Sequence, residues 1–240
     1  MPSIVDEHLD LVTAATGRLL IALDGLTDEA ARQPSALPGW SRGHVISHVA
    51  RSGDAMRNLF EWARTGVPRS MYREPDGRDA DIEAGAGRPA SELAEDVRAS
   101  ARRWAEAAHE LPDPAWQALV QRRPGIEPEQ AFHLIAGRLF EVEFHHVDLG
   151  LGHDFADMPA AVLELGLQRT HDRLPVGEEQ SFALVLTDMD RRLRFGPDTA
   201  TARTTVYGDL PAALRWLTGR GPGTGLSTSD GALPVLPAWR

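Results

Sequence analysis

Cysteine is absent from all 240 residues, and with it go disulfides, thiolate metal ligands and any cysteine nucleophile. Thiol chemistry on this chain would need a thiol borrowed from elsewhere. Lysine is absent as well, so all 25 basic residues other than histidine are arginine. That removes Schiff-base catalysis; beside abundant Ala, Gly and Pro it points to a GC-rich genome rather than to a function. Positive charge is in deficit, with a formal net charge of −10. This speaks against a partner recognised through its phosphate backbone, which requires clustered, uncompensated cations. No apolar run approaches the roughly 20 residues of a membrane helix, and the opening MPSIVDEHLDLV is acidic and amphipathic, unlike a basic leader followed by an apolar stretch. The expectation is a cytoplasmic protein with no nucleic-acid and no membrane partner, either a monomer or a homodimer.

What is present is 42% apolar residues, enough for a sizeable core in one large or two small domains. Apolar periodicity predicts a first helix over 4–23, stopped by Asp24-Gly25. After the loop QPSALPGW, Ser41 is placed to cap a second helix that runs to Thr65-Gly66. Residues Val67 to Pro89 carry Gly, Pro, Arg and Asp without periodicity and read as one long loop, of the kind that often serves as a lid. Ser91 and Glu92 are read as opening a third helix to about Leu111, with Leu93, Val97, Ala101 and Trp104 on one stripe. Pro112 to Pro128 reads as a further loop, and a fourth helix is predicted from Glu129 to Gly150. Beyond His153 the texture changes to a short helix over 159–173, three β-rich runs, SFALVLTD, RRLRFG and ATARTTVYG, and a helical PAALRWLTGR. The fold class expected is mainly α: a four-helix bundle over 1–155 followed by a smaller α+β domain over 156–240.

The fourth helix carries Glu141 and His145 four residues apart, so both project from one face within reach of a shared ion. The second helix carries His44 and His48 at the same separation, and either can supply a third ligand from across the bundle. Two His and one carboxylate suit zinc with an open position, and non-haem iron accepts the same set. The alternative is an ordinary helix-surface Glu-His pair with no ion. His8, His109, His133, His153 and His171 lack any comparable partner pattern, and His146 points about 100° away from His145 on an ideal helix. Asp148, three residues after His145, is placed to orient its imidazole. Arg138, three residues before Glu141, is suited either to a carboxylate of the site or substrate or to a helix salt bridge with Glu141.

The ordered set Trp40 to His48, then Arg78-Asp79-Ala80-Asp81-Ile82-Glu83, then Arg138, Glu141, His145, Asp148 and Leu149 resembles the mycothiol-dependent maleylpyruvate isomerase family, part of the DinB-like metalloprotein superfamily. The resemblance covers essentially the whole first domain. It implies a DinB-like bundle holding one zinc ion through His48, Glu141 and His145, with His44 demoted. It also implies a sterol-carrier-like second domain, whose pattern is matched by Gly208-Asp209, Leu214, Trp216-Leu217 and Gly219-Arg220. Arg220 then corresponds to a family arginine facing the active site, with Arg215 as a competitor.

The activity implied is isomerisation of maleylpyruvate to fumarylpyruvate. Zinc would lower the pKa of the thiol of mycothiol, an actinobacterial cofactor; the thiolate would add to the double bond, the resulting single bond would rotate, and the thiolate would leave again. Arg220, also the expected cofactor-binding residue, or Arg138 would bind the substrate carboxylates and the developing enolate. The partners implied are thus a small-molecule thiol and an electrophile. Two other readings share this sequence: a mycothiol S-transferase that leaves the thiol on its product, and a non-catalytic metal or small-ligand binding protein.

Overall fold

Ser3 opens the first helix through a reciprocal cap, its hydroxyl accepting from the Asp6 N–H while the Asp6 carboxylate accepts from the Ser3 N–H. A computed structural model describes residues 3–72 and 77–238 of the chain. The helix that begins here, α1, spans Ile4–Asp24. A five-residue helix α2 (Asp28–Arg32) follows, capped by Thr27. Then α3 (Arg42–Thr65) starts after Ser41 and stops at Gly66, whose φ of +72° is cheap only for glycine. With α5 (Ala90–His109) and α6 (His133–Asp148), these long helices form a four-helix bundle in which α1 and α3 each pack against both α5 and α6. Its centre is Leu19, Val45, Leu59, Leu93, Val97, Leu134, Ile135 and Val142, all almost fully buried. Each such side chain contributes about 1.5–3 kcal/mol relative to exposure.

The long loop expected over 67–89 is instead interrupted by a helix, α4 (Gly77–Ala86); Arg73 to Asp76, within that span, lie outside the described residues. Its only large buried apolar side chain is Ile82, too little to produce a periodic signal. The helix is held by close approach to α3. A Cβ on Gly43 would sit 2.2 Å from the Ala86 carbonyl oxygen, and one on Gly85 2.2 Å from Ser47 Oγ, so glycines on both helices let the backbones meet.

Two helix starts also differ from expectation. Ser91 is not the cap of α5: the helix begins one residue earlier, and the Ala90 N–H donates to Asp28 Oδ1 of α2 at 2.8 Å. A tertiary contact replaces a local one. The segment Glu129–Gln130 is not helical but forms strand β2, antiparallel to β1 (Leu119–Val120). The Ala131 and Phe132 N–H groups then donate to the Ala118 and Trp116 carbonyls, so the backbone is free to coil only from His133.

The chain divides into two compact units, Met1–Gly152 and His153–Arg240. In the second, α7 (Ala160–Arg173) precedes a four-stranded sheet of β3 (Phe182–Leu186), β4 (Arg191–Phe195), β5 (Thr204–Gly208) and β6 (Ser227–Thr228). The strand order is β4-β3-β5-β6, with β3 and β5 parallel and the outer pairs antiparallel. The connection after β5 is α8 (Leu210–Leu217), capped by Asp209, which accepts from the Ala212 N–H. Leu214, Trp216 and Leu217 are buried, so most of the motif from Gly208 to Arg220 reads as strand end, cap and packing face. No helix of the described residues is long and apolar enough to cross a membrane.

Candidate metal centre

Ser41 and Gly66 fix where α3 begins and ends, and that register sets the two histidines of its first turns apart. His44 is drawn into the cap, its Nδ1 2.7 Å from the Ser41 hydroxyl, while its Nε2 reaches Glu83 of α4 at 3.1 Å. One turn later, His48 points into the bundle toward α6. There its Nε2 lies 2.8 Å from Glu141 Oε2. His145, one turn beyond Glu141, places its Nε2 3.5 Å from the same oxygen, and the His48 and His145 rings meet edge to face with centroids 4.6 Å apart.

One donor atom from each of His48, Glu141 and His145 therefore lies within 4.8 Å of the others. His145 Nδ1 is 2.8 Å from Asp148 Oδ2. Because an ionised carboxylate only accepts, Nδ1 carries a proton toward Asp148, and Nε2 is the nitrogen turned to Glu141, where a metal ion could replace its proton. This is the carboxylate–histidine arrangement that prepares an imidazole for a metal. The second nitrogen of His48, Nδ1, is buried with no hydrogen-bond partner among the described residues. The donor set fits a divalent ion: two imidazole nitrogens and one carboxylate oxygen, all converging, with part of Glu141 still reached by solvent.

A family model described as the mycothiol maleylpyruvate isomerase N-terminal domain matches residues 12–150, more than half of the chain. The chain belongs to that enzyme family. Its fold is also similar to the crystal structure of a mycothiol-dependent maleylpyruvate isomerase, at 28% identity and a TM-score of 0.88, over 100% of this chain and 98% of that one. A variant of such an isomerase with one histidine replaced by alanine is similar at 27% identity and a TM-score of 0.87, with the same coverage. No curated protein matches the sequence.

The electrostatics of this family member's site follow from its contacts. Burial would raise the Glu141 pKa, but the His48 charge and the hydrogen bonds from His145 and His48 outweigh it, leaving the carboxyl well below the ordinary value. Burial pulls His48 below the usual imidazole range despite Glu141. His145 is also buried, yet its bond to Asp148 and the nearby Glu141 raise it. Of two imidazoles beside one carboxylate, the one with its own second carboxylate keeps the proton more firmly.

Arg138 is placed away from the rim. It is fully buried, and its Nη1 donates to the Val49 carbonyl at 2.7 Å and to Ser52 Oγ at 3.1 Å, both on α3. Gly53 leaves room for it, since a Cβ there would lie 3.2 Å from Cζ. Burial lowers its pKa to about 10, and Nε and Nη2 have no hydrogen-bond partner among the described residues. It forms no ion pair with Glu141 among the described residues, so the helix salt bridge is not observed. Arg220 lies in the turn after α8, its Nη1 donating to the Thr218 carbonyl at 3.3 Å, whereas Arg215 pairs with Asp154.

Further members of the setting escaped the sequence reading as site residues. Trp40 tilts against the His48 ring with centroids 5.6 Å apart, and the Arg78 guanidinium lies over the Trp40 ring at 5.7 Å. Tyr72 hydrogen-bonds to Arg78 and is close enough to feel the Glu141 charge. Trp40 and Arg78 stood in the motifs that carried the resemblance, but nothing in their spacing pointed to His48, and Tyr72 was not read as a site residue. Among the remaining histidines, His8 stacks on Phe132, His171 bonds the Arg194 carbonyl, and His109 and His133 are exposed.

Proposed function

We propose that this protein is a zinc- and mycothiol-dependent isomerase that converts maleylpyruvate to fumarylpyruvate. The observation that carries the reading is the convergence of His48, Glu141 and His145 donor atoms within 4.8 Å in a chain of this family. A zinc ion held there would supply a Lewis acid that keeps a coordinated thiol ionised at neutral pH. The absence of cysteine fits an external thiol as nucleophile. Asp148 orients the His145 ring, and Trp40 packs against the His48 ring. Mycothiol, when bound, would supply the nucleophilic sulfur, which would add to one alkene carbon with the electron pair going to the conjugated carbonyl and, once the new single bond had turned, would leave unchanged. Arg138, wholly buried, would act by fixing α3 to α6 and by its charge. The family resemblance assigns Arg220 to substrate carboxylates and the thiol cofactor; a raised KM in Arg220→Gln with unchanged metal content tests this.

The deciding experiment is elemental analysis of the purified protein followed by assay with maleylpyruvate, with and without mycothiol. Bound zinc with thiol-dependent fumarylpyruvate formation is expected. A product that retains the thiol would make the protein an S-transferase, and bound metal without any turnover would leave a non-catalytic binding protein.

A further inference from the structure

The metal-ligand cluster has a cation beside it that the ligand set does not use. Arg78 enters from α4, and its guanidinium rests on the face of Trp40, 5.7 Å from the ring centroid, while Trp40 itself packs on His48. The Arg78 charge is felt at His48 and the Glu141 charge at Tyr72, so both groups border the centre. Among the described residues Arg78 pairs with its neighbour Asp79, at 2.6 Å between side chains 39% and 78% exposed. An exposed pair of this kind is worth little and exchanges readily for a better acceptor. Tyr72 bonds the guanidinium through its phenol and is mostly withdrawn from solvent; burial, with the Glu141 charge, raises its pKa to about 12. It is therefore a hydrogen-bond donor at every physiological pH. Asn58 Nδ2 donates to the Met71 carbonyl at 2.9 Å and so ties the chain beside Tyr72 to α3.

We propose that Arg78 and Tyr72 form the carboxylate subsite of the centre, with Arg78 as the specificity-determining residue that selects anionic electrophiles carrying a carboxylate next to the reacting double bond. This deepens the isomerase reading and rests on it for the identity of the substrate. A guanidinium resting over an indole can turn its N–H edge from the exposed Asp79 carboxylate to a two-point contact with a substrate carboxylate. The Tyr72 hydroxyl adds a third donor from the side. A neutral electrophile would find the same pair of groups a cost, since binding it would leave the donors unsatisfied as water is excluded.

The test uses equilibrium binding of maleate, a cis-butenedioate, to the metal-containing protein without thiol, alongside metal content and the maleylpyruvate assay. Loss of a charge-assisted contact should weaken maleate by about 10- to 100-fold in Arg78→Gln. Arg78→Lys should recover part of that, and Tyr72→Phe should show a smaller loss, all at unchanged metal stoichiometry. Unchanged maleate affinity in Arg78→Gln, or no maleate binding by the unsubstituted protein, would overturn the proposal. The two readings fail separately. Arg78-dependent maleate binding with no isomerisation would leave the subsite standing and remove the reaction, whereas isomerisation with an unaltered KM in Arg78→Gln would do the reverse.

Discussion

Helix α6 carries the same two residue types on two of its faces, and their fates differ. On one, Glu141 and His145 face His48 of α3 and a cluster of donor atoms results. On the other, Glu143 and His146 also bring donor atoms within 4.8 Å of each other, but Glu143 is fully buried against the Arg18 guanidinium of α1. The difference lies in what the neighbouring helix presents. A carboxylate paired with a guanidinium is already neutralised by a permanent cation. A carboxylate between two imidazoles is balanced only by exchangeable protons, which a divalent ion can replace. Residue type alone does not make a metal site.

That contrast can be broken by substitution. The largest effect is expected at the ligands: His48→Ala, Glu141→Gln or His145→Ala should lower turnover by more than the roughly 10–100-fold typical of outer-shell partners, with helical circular dichroism retained. Turnover near the unsubstituted level in any of them would remove that residue from the set. Asp148→Asn leaves the ligands in place but weakens the orientation of His145, so zinc affinity in a competition titration should drop by about 10–100-fold.

On the opposite face the prediction reverses. Glu143→Gln should keep its metal and lose about 1–3 kcal/mol of stability in urea unfolding, because Arg18 loses its buried charge partner. A variant that lost metal without losing stability would show that the two faces had been assigned the wrong way round. The smallest effect concerns the site's rim. The Tyr72 pKa is raised to about 12 by burial and by Glu141, so its contribution to stability is complete below the ordinary phenol value and is lost as pH rises toward 12. In an alkaline absorbance titration, Tyr72→Phe should delete a late phenolate step; a step of ordinary phenol pKa disappearing instead would contradict the burial of that hydroxyl.

Much of the bundle was legible because its signals are local. Ser41 and Gly66 bound α3 within one residue of where a cap and a left-handed stop place them, and the four-residue spacing put Glu141 and His145 on one face. Other features depend on partners distant in sequence. The start of α6 is set by strand pairing between 119–120 and 129–130, and that of α5 by Asp28. Helix α4 is held by close approach at two glycines, Gly43 against the Ala86 backbone and Gly85 against the Ser47 side chain, a pairwise fit with no apolar period. The choice of His48 over His44 was open from spacing alone. It turns on which of the two is consumed by the Ser41 cap, a role that the order Ser-x-x-His could have suggested.

The most direct test of the account is zinc titration into chelator-treated protein, followed by calorimetry, with Glu141→Gln and Glu143→Gln run beside it. The account predicts about one tight site per chain in the unsubstituted protein and in Glu143→Gln, and none in Glu141→Gln; a tight site that survives Glu141→Gln and vanishes with Glu143→Gln would contradict it.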